Sequence, residues 1–162
     1  MGFQKLANII FGEIKPKLEN HSGLSVFAKE RAKFEGWFKV ELCESLLKYF
    51  KDVVPEHQRV DISFEDWGIE LKTINTNIRY EGVKNKTRPI TKNTQGIIED
   101  IEKLKKLNFK KKGVLFIVFP IEQGNKNWGF HLQKIENQLT CIKSCSFNFK
   151  DNIPGVIYFG LI

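Results

Sequence analysis

Along residues 3 to 19 the apolar positions Phe3, Leu6, Ile10, Ile14 and Leu18 recur near helical spacing, and Pro16 is expected to kink or end that helix. The run "ENHSG" then breaks the pattern. From about Leu24 to Phe50 helical spacing returns in the stripe Phe34, Trp37, Phe38, Leu42, Leu46 and Tyr49, which predicts one long helix with an interruption at Gly36. "RVDISFED" and "WGIELKTIN" carry β-branched and apolar residues on either side of a short acidic turn and predict an antiparallel hairpin. Residues 82 to 95, "GVKNKTRPITKNTQ", hold Lys84, Lys86, Arg88 and Lys92 with no acid and predict a mobile basic loop. Thr94 or Asn93 is placed to cap the next helix, "QGIIEDIEKLKKL", with Ile97, Ile101 and Leu104 facing inward. The uniformly apolar "GVLFIVFPI", residues 113 to 121, predicts a central strand covered on both faces. "NWGFHLQKIENQL" reads as a helix, and "CIKSCSFNF" and "GVIYFGLI" as closing strands. This order predicts an α/β domain spanning residues 1–162, a three-layer sandwich whose mixed central sheet is flanked by helices.

Length and composition agree with that reading: 162 residues suffice for one core, and 41% hydrophobic with 28% charged residues is ordinary for a globular chain. The formal net charge of +7 adds an expectation about partners, because clustered Lys and Arg gain free energy by displacing counterions from phosphates. Three cysteines, Cys43, Cys141 and Cys145, form no disulfide framework or zinc spacing, which with no signal-peptide pattern predicts a cytoplasmic protein. No apolar run reaches membrane-spanning length, so no membrane partner is expected.

Within "GIELKTIN", Glu70 and Lys72 stand two apart in an apolar strand and so share one face, while Leu71 points to the other. A two-residue turn at 65 and 66 pairs Asp61 with Glu70, and shifting the turn by one residue pairs it with Lys72. Either register gathers Asp61, Glu70 and Lys72. Two carboxylates held together repel and pay desolvation, which a hard divalent cation such as Mg²⁺ relieves. A neighbouring lysine can steady a nucleophilic water or the charge developing on phosphorus, so the set suits metal-assisted phosphodiester hydrolysis. Glu41 lies on the stripe of the preceding helix that otherwise faces the core and is expected to join as a third acid, with Glu35 and Glu44 nearer the flanks.

Asp61 followed by "IELK", after "EGWFKVELCESL" and before "EDIEKL", resembles the PD-(D/E)XK nuclease superfamily with its restriction-endonuclease-like fold. The resemblance covers roughly residues 24–121, with the helix and strands of 127–162 completing the domain. It implies a Mg²⁺-dependent DNA endonuclease, with Mn²⁺ able to replace Mg²⁺. Asp61 and Glu70 would be metal ligands with the Leu71 carbonyl, Lys72 the catalytic lysine, and Glu41 the additional helix acid. Val60 stands where the family often has proline, and no first strand of the sheet is legible before residue 58. Lys84, Lys86, Arg88 and Lys92 would contact the DNA backbone, and cutting both strands calls for a homodimer.

Plainer roles exist for the same residues. Asp61, Glu70 and Lys72 form a cross-strand salt-bridge ladder if that face is solvated, Lys103, Lys105, Lys106 and Lys110 to Lys112 cap a helix end, and Trp67 packs rather than stacking on a base. The corresponding functions are a non-catalytic nucleic-acid-binding module, or an assembly protein, on the same fold.

Overall fold

A computed structural model describes residues 1–86 and 90–162; Thr87, Arg88 and Pro89 lie outside the described residues. Among the described residues the chain forms five helices and six strands. Helix α1 (Phe3–Asn20) buries Leu6, Ile10, Ile14 and Leu18, the positions its periodicity selects. It runs through Pro16, which neither ends nor shortens it, and the Asn20 side chain donates to the Pro16 carbonyl (2.8 Å). The long helix expected over 24–50 is instead two, α2 (Ser22–Lys29) and α3 (Glu35–Leu47). The break falls at Arg31, whose φ of 52° no helix accommodates, and not at Gly36, which sits in the first turn of α3.

Six strands follow: β1 (Val54–Pro55), β2 (Ile62–Phe64), β3 (Trp67–Asn75), β4 (Lys111–Phe119), β5 (Cys141–Asn148) and β6 (Pro154–Leu161). They form one mixed open sheet in the order β1-β2-β3-β4-β6-β5. The two-residue β1 is the strand the sequence left illegible before residue 58; it is too short to show a periodicity. Helix α4 (Ile90–Lys105) carries the chain from β3 to the parallel β4, and α5 (Lys126–Glu136) precedes the antiparallel β5–β6 pair. Helix α4 includes Ile90, so Asn93 and Thr94 are internal rather than capping, and Lys92 lies on the helix rather than in a loop. Their polar groups find other work: Thr94 Oγ1 donates to the Ile90 carbonyl (2.9 Å) and Asn93 Nδ2 to the Asn75 carbonyl (3.1 Å).

Two apolar cores share the sheet. On one face Phe38, Leu42 and Leu46 of α3 and the α1 stripe pack with Trp67, Ile69 and Leu71 of β3 and Leu115, Ile117 and Phe119 of β4. On the other, Ile97 and Ile101 of α4 and Trp128 and Ile135 of α5 meet Ile74 together with Val114, Phe116 and Val118. Alternate residues of β4 thus enter opposite cores, which is why its sequence from Gly113 onward is apolar without interruption. Trp67 is fully buried in the first core, as packing requires.

Candidate active site

The site grows from an unequal pair of strands. Residues 65 and 66 form the turn, with Phe64 opposite Trp67 and Ile62 opposite Ile69, and one further step sets Asp61 opposite Glu70. Of the two registers open to the sequence, this is the two-residue turn. Strand β2 begins only at Ile62 while β3 runs on to Asn75, so the far half of that edge of β3 has no strand to bond. Carboxylates take its amides instead: Asp61 Oδ2 accepts from the Leu71 N–H (2.8 Å) and Glu35 Oε1 from the Thr73 N–H (3.0 Å). Strand geometry turns the Leu71 carbonyl to the same edge as its N–H. The β1–β2 connection that delivers Asp61 has Glu56, Gln58 and Arg59 at positive φ, an accumulation of strain that non-glycine residues seldom carry away from functional sites.

Glu70 and Lys72 share a face, as alternation demands, and that face is covered by α4 rather than solvated. Glu70 Oε1 lies 2.5 Å from Lys103 Nζ, and Lys72 Nζ lies 2.9 Å from Asp100 Oδ2. Asp100 and Lys103 are three apart on the helix, one above the other, and so match residues two apart on the strand. Gly96, a turn earlier, has no side chain over the Lys72 stem; a Cβ there would lie 3.8 Å from Lys72 Cε.

Burial sets the electrostatics. Glu70 is 5% exposed. Its carboxyl is pushed up to about 7, first by desolvation and then by the neighbouring Asp61, with Lys103 opposing. For Asp61 desolvation raises the pKa, but hydrogen bonds from Glu70, Lys39 and the Leu71 N–H outweigh it and hold the group below the ordinary value. Lys39 Nζ sits 2.7 Å from Asp61 Oδ1 and also pairs with Glu56; burial works against its charge, but the two acids raise it to about 12. Lys72 is likewise raised against the effect of burial, chiefly by Asp100 and with Glu35 and Glu70 adding their fields. Two carboxylates thus divide into one that is ionised and one that holds a proton near neutrality. Asp61 and Glu70 line a cleft of about 160 Å³ with Glu56, Arg59, Val60 and Lys103.

Among the described residues no three His, Cys, Asp or Glu side chains gather at metal-binding spacing. The donors available are two carboxylates and the Leu71 carbonyl, all hard oxygens, a set that suits Mg²⁺ or Mn²⁺, which retain water ligands, and does not suit zinc. Burial and the neighbouring Asp61, which together favour a proton on Glu70, are what a divalent cation would offset, so the residues fit the group.

The structure separates other residues that sequence reasoning grouped. Glu41 does not approach Asp61 or Glu70; it faces α1, where Lys17 Nζ lies 2.6 Å from its Oε2. Six residues earlier on α3, Glu35 is the acid that reaches β3, because the start of the helix, not its middle, meets the open strand edge. Lys84 pairs with Glu30 (3.0 Å), Lys86 Nζ donates to the Glu30 carbonyl (2.7 Å), and Lys92 is exposed on α4. Arg88 lies outside the described residues. Lys103, assigned by sequence to a helix end, is a direct partner of Glu70; its spacing of three from Asp100 in "EDIEKL" acquires that meaning only once α4 is seated on β3. Lys39 carries no such signal, since only the fold brings α3 beside Asp61. Comparison with known proteins finds no matching family model, no similar curated protein and no similar solved structure.

Proposed function

We propose that this chain is a metal-dependent endonuclease that hydrolyses DNA phosphodiester bonds, a PD-(D/E)XK-like enzyme on a restriction-endonuclease-like three-layer sandwich. The observation that carries the reading is the buried Glu70 beside Asp61 at the splayed end of the hairpin, with Lys72 on the same face as Glu70. Asp61, Glu70 and the Leu71 carbonyl would hold Mg²⁺, or Mn²⁺ in its place, which when bound supplies a Lewis acid and acidifies a water ligand. Glu70 would give up its proton on loading and release Lys103, whose ammonium then lies free beside the cleft. Lys72 would orient the attacking water and offset charge on the phosphoryl oxygens, steadied by Asp100. Glu35 acts by position, fixing the Thr73 amide and adding negative field near Lys72. The protein would work in the cytoplasm on duplex DNA, two copies cutting the two strands.

The ion pairs Glu70–Lys103 and Lys72–Asp100 favour a second reading, in which the charged face is structural and the chain is a non-catalytic nucleic-acid-binding module. Incubation with DNA separates the two. The enzyme cuts with Mg²⁺ or Mn²⁺, stops with chelator, and loses about 100-fold or more of its rate in Glu70→Ala or Lys72→Ala, with DNA binding retained. Binding without cleavage under any divalent metal establishes the module, and an absence of salt-sensitive DNA binding points to an assembly protein.

A further inference from the structure

Away from the carboxylates, a cleft of about 250 Å³ opens where β3 runs out, lined by Arg31, Asn77, Arg79, Asn85 and Lys86. Arg31 forms its fixed wall. The residue is 1% exposed, and its guanidinium donates from Nε to the Lys84 carbonyl (2.7 Å), from Nη1 to that of Thr76 (2.5 Å) and from Nη2 to that of Ile78 (2.5 Å). The Asn75 side chain in turn donates to the Arg31 carbonyl (2.5 Å), so the positive φ at Arg31 is locked from both sides. Carbonyls satisfy hydrogen bonds without neutralising a charge. Among the described residues no carboxylate pairs with Arg31 or Arg79, the nearby Glu30 being engaged by Lys84, and the three residues outside the description include no acid. One N–H on each terminal nitrogen of Arg31 has no acceptor among the described residues. A buried cation without a counter-charge, an unpaired arginine and a lysine around a cleft with two amide side chains and no acid make an anion site.

We propose that this cleft is a subsite for one backbone phosphate of bound DNA, gripped by Arg31 and Arg79 with Lys86 at its rim. The choice of DNA rests on the nuclease reading above; the anion site does not. Five residues of strand separate Glu70 from Asn75, roughly 17 Å at 3.3 Å per residue, so the phosphate held here is several nucleotides from the one attacked. Planar guanidinium forks suit the paired oxygens of a phosphodiester, and Asn77 and Asn85 offer further donors. Of the three described cations that sequence reading assigned to DNA, Lys84, Lys86 and Lys92, it is Lys86 that lines this cleft, and its partners there come from the α2–α3 break and the end of β3.

The test is DNA binding by fluorescence anisotropy in chelator, across a salt series. Arg79→Ala removes an exposed side chain with no protein partner among the described residues, so its melting temperature should match the wild type. Its affinity should fall about tenfold and the slope of log K against log salt should shrink by about 1, with a further loss in Arg79→Ala/Lys86→Ala. Lys134→Ala on α5, an equal loss of charge elsewhere, should keep the wild-type slope. Millimolar inorganic phosphate should compete with DNA on the wild type and less on Arg79→Ala. Wild-type affinity and slope in Arg79→Ala overturn the subsite, as does DNA binding by the wild type that ignores salt. If the wild type cuts no DNA with Mg²⁺ while Arg79→Ala loses its slope, the subsite stands and the nuclease reading falls; cleavage with an unchanged slope gives the reverse.

Discussion

Glu70 is held in a position where its neutral form is the comfortable one at moderate pH. Its folded pKa, about 7, exceeds the ordinary 4.5, so between those values the native state binds more protons than the unfolded chain, and stability falls as pH rises across that window. Glu70→Gln mimics the protonated form. Thermal melting in chelator should show the Gln variant gaining on the wild type from pH 4.5 to 7 and keeping a constant lead above it; a difference that does not change with pH contradicts the burial argument. Glu35 and Glu41 of α3 separate just as cleanly. Glu35→Ala leaves the Thr73 N–H without an acceptor and should destabilise by about 1–3 kcal/mol, whereas Glu35→Gln should keep the bond, melt as the wild type does and, on the nuclease proposal, lower cleavage by removing the charge near Lys72. Glu41→Gln removes the charge that pairs with Lys17, so it should change stability by about 0–1 kcal/mol and, on the nuclease proposal, leave cleavage unchanged.

Among the elements, β3 and α4 are matched by charge as well as by apolar packing. Glu70 and Lys72 face Lys103 and Asp100, opposite signs at each contact, while Leu71 and Ile74 enter different cores. That pairing fixes α4 against the strand and leaves the open edge of β3 as the approach to Asp61. The close fit of β4 against β6 is a separate requirement. A Cβ at Gly113 would lie 2.6 Å from Cε2 of the fully buried Phe159, with Leu161 opposite Gly113 in the ladder, so the ring has no room to retreat. Gly113→Ala should therefore destabilise by about 1–3 kcal/mol in denaturant melts. Element boundaries were the weaker part of what the sequence told. The apolar stripe across 24–50 was continuous enough to hide the break at Arg31, because the break comes from a backbone turn clamped by carbonyls of the distant 76–84 segment, and no local residue signals that.

For the molecule as a whole, the net charge of +7 means that any association with nucleic acid would be driven by counterion release and would weaken as salt rises. If two copies cut a duplex, sedimentation on a short duplex should reveal a two-to-one complex, and double-strand cleavage should rise more steeply than linearly with protein concentration; linear dependence with one copy per duplex refutes the dimer. Among the described residues no helix is long and apolar enough to cross a membrane. The periodicities 3.6 and 2, which depend only on which side chains avoid water, located the helices and strands and placed Glu70 and Lys72 on one face. Hairpin arithmetic went one step further and brought Asp61 to them, because a tight turn fixes register over a few residues. Everything joined across long stretches of chain lay beyond that reach. Lys39, Asp100 and Lys103 around the carboxylates, Glu35 in place of Glu41, and Arg31 beside Arg79 are set by how the helices seat on the sheet. Seating is decided by the summed packing of two cores, in which no single residue carries a readable sign.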